Sequence, residues 1–147
     1  WLSGGLRGRE VPGTFAELIV VKETEAYRIP NNISFAAATN FVGLYTVVYS
    51  QRKAPYIPGG SVAVLGQGSS GLLHTQLAKL SGAAQDIAVT RSQWKLEMAQ
   101  RLGADEIIPA ADIDPAARVC ELTGGLGVDV VIETAVTNQS MPTSQGA

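Results

Sequence analysis

Residues 61–71 decide the fold, and they read Ser-Val-Ala-Val-Leu-Gly-Gln-Gly-Ser-Ser-Gly. A short apolar run that ends at glycine is typical of a buried strand. The G-x-G-x-x-G run lets the backbone turn at Gly66, approach a ligand at Gly68 and pack a helix on the strand at Gly71. We therefore predict a strand, a tight glycine turn and the start of a helix.

This arrangement suits a negatively charged ligand. The first turn of a helix has unpaired backbone N–H groups, and the helix dipole adds positive charge there. The hydroxyls of Ser69 and Ser70 could add further donors. We predict that a dinucleotide binds through its pyrophosphate at Gly66, Gly68 and Gly71; the alternative is a packing turn that holds no ligand.

The chain beyond this stretch repeats the same unit. Short apolar runs alternate with segments whose apolar residues recur every three or four positions, which is typical of strands alternating with helices. Apolar strands joined in this way indicate a parallel sheet covered on both faces, with right-handed crossovers. We predict an α/β fold with a doubly wound parallel sheet. Its strands are residues 61–65, 87–90, 106–109 and 128–132, and its helices are residues 69–80, residues 94–102 and one capped by Asp114.

The part of the chain before residue 58 is less regular. Residues 14–22 are rich in branched side chains, which predicts a strand. Ser34 can cap a helix that begins at Phe35. A Pro-Gly turn at residues 56–60 separates this section from the sheet. The helix positions that the apolar spacing predicts to be buried are Phe41, Leu44, Tyr45 and Val48.

Composition argues against several classes of partner. The 147-residue chain has a formal net charge of -2 and no cluster of basic residues, so we expect no nucleic-acid partner. No apolar run approaches the roughly 18 residues of a membrane-spanning helix. Cys120 is the single cysteine and cannot form an internal disulfide, which favours a cytoplasmic protein. Trp1 does not resemble a natural start, so a piece of a longer protein is one interpretation, and a degenerate paralogue is the other.

The residues after the second predicted strand bear on the choice of dinucleotide. Folds of this kind that bind NAD usually have an acidic residue there, which accepts hydrogen bonds from the ribose hydroxyls. This chain has Thr90 and Arg91, and a guanidinium can hold a 2′-phosphate with paired hydrogen bonds. We predict a preference for NADP over NAD, the alternative being that Arg91 is merely solvated. Asp86 begins the strand, and we expect it on the surface, away from the ribose.

Residues 13–134 resemble the zinc-type medium-chain dehydrogenases, especially their polyol and threonine dehydrogenase branch. The resemblance implies that residues 1–57 are the tail of a β-rich, GroES-like catalytic domain with a bridging helix. It also implies that residues 58–147 are part of a Rossmann-type dinucleotide-binding domain, with an incomplete sheet. The segments that follow the family's order and spacing include Gly13-Thr14-Phe15-Ala16-Glu17, Leu102-Gly103-Ala104-Asp105, Glu121-Leu122-Thr123-Gly124-Gly125 and Asp129-Val130-Val131-Ile132-Glu133.

The resemblance implies further residues near the cofactor. Thr46, on the bridging helix, matches a family residue that approaches the nicotinamide, and Lys95 matches one that reaches the adenosine end. Thr134 and Ala135 end the fourth strand, where open parallel sheets place ligands. The alternatives are a hydroxyl bonded to its own helix backbone for Thr46 and a solvated side chain for Lys95.

The resemblance does not extend to the family's zinc ligands. The position that matches its acidic or cysteine ligand on the bridging helix is Val42, which cannot bind a metal. We interpret Cys120 as a packed helix cysteine and His74 as a surface or satisfied helix residue. No metal ligand and no catalytic residue is assigned, and zinc is expected only if residues outside this chain supply its ligands.

These observations favour an NAD(P)-binding segment of an alcohol dehydrogenase-like oxidoreductase. Such an enzyme transfers hydride between a nicotinamide cofactor and an alcohol or carbonyl substrate. One alternative is a dinucleotide-binding module without chemistry. Another is a zinc-free reductase of the quinone or enoyl type, which works by positioning substrate and hydride donor. The resemblance also implies a homo-oligomer for the full-length protein.

Overall fold

The computed structural model describes residues 13–53 and 57–135. The chain divides into two compact units, Trp1–Phe41 and Val42–Ala147. The division between a catalytic-domain tail, residues 1–57, and a dinucleotide-binding domain, residues 58–147, concerns function and remains a prediction. Within the described ranges, no helix is both long and apolar enough to cross a membrane.

The first unit has little regular structure. A 3-10 turn spans Glu23–Glu25, and a short helix, α1, spans Phe35–Ala38. Ser34 caps α1 as expected, because its hydroxyl oxygen accepts a backbone N–H bond of 3.1 Å. The strand predicted for residues 14–22 is wrong: this run is irregular, and Phe15 within it is fully exposed. A strand needs a hydrogen-bonded partner, which branched side chains alone do not supply.

The bridging-helix region contains two helices instead of one. Helix α2 spans Phe41–Lys53, and a turn at Thr39 separates it from α1. The predicted buried face is wrong at Leu44 and Tyr45, which are exposed. Phe41 and Val48 are half-buried, and Val47 is the fully buried residue of α2. Because apolar residues occur on most sides of this helix, their spacing cannot select the side that is covered.

The second unit is built on a sheet of four parallel strands. Their order is β3-β2-β1-β4, with β1 at Ser61–Leu65, β2 at Gln85–Thr90, β3 at Glu106–Pro109 and β4 at Val130–Glu133. The connecting helices are α3 at Ser69–Leu80, α4 at Gln93–Arg101 and α5 at Pro115–Leu122. These elements confirm the predicted doubly wound α/β fold, with bounds within two residues of those expected.

Helices cover both faces of the sheet. On one face, Val64 packs with Ala78 of α3. Helix α4 lies on the same face, because its Ala99 packs with Ala88, the register partner of Val64. Small residues at these positions let the helices approach the strands closely. The cluster on the opposite face, under α5, is formed by Ala63, Ile87, Val89 and Ile108, with Val119 and Leu122 packed against it.

The strand order creates a crevice. Strand β1 lies between β2 and β4, so the chain proceeds to one side of β1 first and later returns to its other side. Open α/β sheets bind ligands at the carboxyl ends of the strands beside such a switch point. At the amino ends of the strands, Asp129 connects β4 to β1, because its Oδ2 accepts 2.8 Å hydrogen bonds from both Ser61 N and Ser61 Oγ.

Two side chains differ from their expected environments. Asp86 is fully buried, not on the surface, because it pairs with Val62 in an inner part of the sheet that α3 covers. Cys120 is exposed, not packed. Helix α5 covers the sheet through Val119 and Leu122, and this leaves Cys120 outside the contact.

Candidate dinucleotide-binding site

A cleft of about 880 Å³ lies at the carboxyl ends of the strands. Its size falls within the roughly 300–1,000 Å³ typical of cofactor sites. The cleft belongs to the second unit alone, and it brings together residues from the loops after β1, β2 and β4. The predicted site residues that line it are Gly66, Gly68, Thr90, Arg91, Lys95, Thr134 and Ala135.

Glycine is suited to each of the three positions of the loop for a different structural reason. Gly66 has φ of +86°, and a Cβ there would lie 2.8 Å from the Cβ of Ala135. A Cβ on Gly71 would lie 1.9 Å from the carbonyl oxygen of Gly66, so the helix could not pack. Gly68 has an ordinary φ of -80°, and a Cβ there would meet nothing within 4 Å. The fold therefore needs glycine at 66 and 71, whereas only the open space beside Gly68 is available to a ligand.

The loop presents a row of unpaired donors. None of the backbone N–H groups of residues 67–71 donates to another group in the described part of the chain. Gly68 is the N-cap of α3, and it supplies no side chain to cap these groups. Unpaired N–H groups at the positive end of a helix dipole bind anions. The loop can therefore hold a phosphate without a basic side chain.

The two serines do not line this cleft. Ser69 begins α3 and is exposed. Ser70 lines a separate cleft of about 370 Å³, together with Ser50, His74 and Ile132. Both clefts include Glu133 and Thr134, so they meet at the carboxyl end of β4. The structure thus leaves the serine side chains beside the loop, outside the larger cleft.

Thr134 fastens the loop to β4. Its hydroxyl lies 2.8 Å from the carbonyl oxygen of Gly66, to which it donates, and 3.1 Å from that of Leu65. Its backbone N–H donates to the same Leu65 oxygen at 2.8 Å. The hydroxyl is thus occupied by the backbone of the loop, and Ala135 lies against Gly66.

The loop after β2 and the first turn of α4 carry the basic side chains of the cleft. Arg91 is exposed and has no ion-pair partner among the described residues. Lys95 Nζ lies 5.6 Å from the centre of the Trp94 ring, a cation–π contact at the rim of the cleft. Arg91 is the side chain better placed to receive a new anionic partner.

Three polar residues that line the cleft were not predicted as site residues from the sequence. Gln67 is almost fully buried; its Nε2 donates to Val64 O at 3.0 Å, and its Oε1 accepts from Thr75 Oγ1 at 3.2 Å. No sequence signal marks it, because the middle position of a G-x-G turn is variable. Asp114 and Glu133 add two carboxylates to the cleft. Their positions at a helix cap and a strand end could have suggested them.

Thr46 lines neither cleft. It is exposed, and its hydroxyl donates to the carbonyl oxygen of Val42 in its own helix at 3.0 Å. His74 is buried in α3, with Nε2 3.4 Å from Ser50 Oγ. Burial lowers the pKa of His74, so its imidazole is neutral at pH 7.

The described residues do not fit a zinc site. They contain no group of three or more histidine, cysteine, aspartate or glutamate side chains that could hold a metal ion. Val42, at the family's ligand position, has no donor atom.

Comparison with known proteins identifies the family. The zinc-binding dehydrogenase family model matches residues 71–147, more than half of the chain. An L-threonine 3-dehydrogenase from Bacillus velezensis is 32% identical over 126 residues, which cover 86% of this chain and 36% of that protein.

Two solved structures extend this similarity to the fold. A zinc-binding dehydrogenase from Sinorhizobium meliloti, bound to NADP, has a TM-score of 0.75 at 32% identity and covers 86% of this chain and 38% of that one. The quinone oxidoreductase of Escherichia coli, complexed with NADPH, has a TM-score of 0.62 at 33% identity and covers 69% and 32%. The chain spans about a third of the length of these relatives. It belongs to the zinc-binding dehydrogenase family, in agreement with the medium-chain dehydrogenase resemblance of its sequence.

Proposed function

We propose that this chain binds a nicotinamide dinucleotide, with NADP preferred over NAD, as part of an alcohol dehydrogenase-like oxidoreductase. The observation that carries the proposal is the row of unpaired N–H groups at residues 67–71, which surrounds the open space at Gly68. These N–H groups have no partner in the described part of the chain, and the row is complementary to a pyrophosphate.

Different residues of the cleft bind different parts of the dinucleotide. The pyrophosphate binds at Gly68, where the backbone is accessible, and the adenosine half lies towards Thr90, Arg91 and Lys95. The nicotinamide half lies towards Ala135, at the carboxyl end of β4. When bound, the reduced nicotinamide would donate a hydride to a carbonyl carbon, and the oxidised nicotinamide would accept one from an alcohol carbon. This chain's contribution is to bind and orient the cofactor, and Thr46 is proposed at the nicotinamide side by resemblance alone.

The preference for NADP rests on Arg91. Its guanidinium is exposed at the cleft and has no ion-pair partner among the described residues. A 2′-phosphate would give it one, through charge-assisted hydrogen bonds. The relatives bound to NADP and NADPH support this choice. The carboxylates of Asp114 and Glu133 in the same cleft oppose it, because they repel a phosphate that comes close.

Calorimetric titration with NADPH and NADH tests this proposal. The Arg91→Ala variant should bind NADPH about 10- to 100-fold more weakly and NADH unchanged, since a hydrogen bond to a charged group contributes roughly 1.5–3 kcal/mol. The matched control is Arg101→Ala, because Arg101 is exposed at the end of α4 and does not line the cleft. Equal loss of both cofactors in Arg91→Ala would contradict the 2′-phosphate contact.

A zinc-free quinone-type reductase is the second candidate. It is favoured by Val42, which cannot ligate zinc, and by the similarity to the Escherichia coli quinone oxidoreductase. Metal analysis of the full-length protein distinguishes the two. Stoichiometric zinc would favour the alcohol dehydrogenase, whereas NADPH-dependent quinone reduction without zinc would favour the reductase. Cofactor binding without turnover of either substrate class would favour a binding module.

A further inference from the structure

We propose that Thr134 is a positioning residue, which sets the dinucleotide affinity by fixing the peptide between Gly66 and Gln67. The inference rests on the proposed function, because it names what holds the phosphate-binding loop in its binding conformation. Thr134 follows β4 and is 68 positions from Gly66 in sequence. Its Oγ1 lies 2.8 Å from the carbonyl oxygen of Gly66.

The Thr134 hydroxyl is the only hydrogen-bond donor to the Gly66 carbonyl within the described residues. A trans peptide unit is planar, with its C=O and N–H pointing to opposite sides. The hydroxyl that holds the Gly66 oxygen therefore also sets the direction of the Gln67 N–H. That N–H is the first of the unpaired donors in the loop.

The surroundings leave this peptide as the adjustable part of the loop. Gln67 is anchored on its other side, because its buried side chain bonds Val64 and Thr75. Gly66 has no side chain and has a φ of +86°, which glycine adopts without strain. The Gly66 N–H is itself held by Val89 O at 2.7 Å, so the peptide that follows Gly66 is the part that can rotate, and its rotation would turn the Gln67 N–H away from the ligand. The Thr134 hydroxyl opposes that rotation.

Three variants test the proposal, each with NADPH calorimetry and thermal unfolding. Thr134→Val keeps the shape and removes the hydroxyl, and we expect about tenfold weaker NADPH binding, equivalent to the loss of one hydrogen bond. Thr134→Ser keeps the hydroxyl and should bind NADPH within about twofold of the original chain. Thr134→Ala replaces the valine variant, with the same expectation, if that variant does not fold.

The matched control is Thr123→Val. Thr123 also donates its hydroxyl to a backbone carbonyl, that of Val119 at 2.8 Å, and accepts from Gly127 N at 2.9 Å, and it does so away from the cleft. We expect it to lower the unfolding temperature without changing NADPH affinity. The proposal is overturned if Thr134→Val binds NADPH as the original chain does, if serine fails to restore binding, or if Thr123→Val weakens binding equally. Failure of the folded original chain to bind NADPH or NADH would overturn the proposed function itself, and this inference with it.

Discussion

Gly71 lies directly against Gly66, so that a Cβ on Gly71 would stand 1.9 Å from the Gly66 carbonyl oxygen. The contact joins the start of α3 to the end of β1, and the same Gly66 oxygen accepts the Thr134 hydroxyl. Gly68, between them, has no neighbour within 4 Å of the corresponding position. Gly66 and Gly71 are therefore required for folding, whereas Gly68 leaves space for a ligand.

Gly71→Ala should destabilise the chain. The obstructing atom is backbone, so the helix must shift from the strand, and we expect a loss of about 3 kcal/mol in the free energy of unfolding. Urea unfolding at constant pH measures it. Gly43→Ala is the matched control, because a Cβ in α2 would meet only Leu73 Cδ1 at an ordinary 3.4 Å. A Gly71→Ala chain as stable as the original would contradict the observed packing.

Gly68→Ala should affect ligand binding much more than folding. The added methyl fits the chain, and the loss of glycine at the N-cap of α3 offsets the entropic gain of alanine, so the free energy of unfolding should change by no more than about 1 kcal/mol. The methyl would occupy the space proposed for the pyrophosphate, so NADPH affinity should fall by at least about tenfold. Urea unfolding and calorimetry on the same preparation check both expectations. Unchanged NADPH binding would place the pyrophosphate somewhere else.

The sequence predicts the second unit well because its signals are local. Each strand of the sheet contains a short apolar run, and α3 and α4 have a three- and four-residue apolar repeat. The cap at Asp114 also acts within its own turn, where its carboxylate accepts from Ala116 N at 3.1 Å. Elements that depend on such short-range features appear with nearly the expected bounds.

The errors concern contacts made by residues far apart in the chain. Residues 14–22 have the composition of a strand, yet composition cannot provide the neighbouring strand that hydrogen bonding requires. The spacing of apolar residues along α2 cannot show whether Leu44 and Tyr45 or Val47 are buried, and packing in the folded chain buries Val47. The place of Asp86 at the start of the second strand predicts a surface position, whereas the strand order places it under a helix.

The candidate site shows the same division. Gly66, Gly68 and Gly71 are recognisable because their spacing itself has a mechanical meaning. Thr134 was expected near the cofactor from its position after β4, but the bond to Gly66 depends on how β4 pairs with β1. The sequence could not reveal Gln67, because its partners are a strand carbonyl and Thr75 of the next helix.

The contact between Ser61 and Asp129 should stabilise β4 against β1. The hydrogen bonds from Ser61 lower the pKa of Asp129, so this stabilisation is present above pH 4 and is lost as the pH falls through the lowered pKa. We expect Ser61→Ala and Asp129→Asn each to lower the urea midpoint at pH 7, with little further loss when they are combined. Additive losses would mean that the two residues act independently. Asp112→Asn, on an exposed loop, is the control.

Burial of Asp86 should make the free energy of unfolding depend on pH. Both carboxylate oxygens are buried and have no hydrogen-bond partner among the described residues. Burial, together with the negative charge of Asp105 and against the opposing Lys79 ammonium, raises the pKa of Asp86 to about 7. The folded chain therefore binds a proton more tightly at Asp86 than the unfolded chain does. The resulting stability is complete below about pH 4 and disappears as the pH rises through 7.

Asp86→Asn should consequently stabilise the chain, and increasingly so as the pH rises. The gain should be near zero at pH 4 and reach at most about 4 kcal/mol at pH 8, since one pKa unit corresponds to about 1.4 kcal/mol. Urea unfolding at pH 4, 6 and 8 measures the gain, with Asp112→Asn as the exposed control. Asp86→Val provides a second comparison, because it removes the charge without burying an unpaired amide beside Val62. A constant difference between the original chain and both variants across this range would show that Asp86 does not change its protonation between pH 4 and 8.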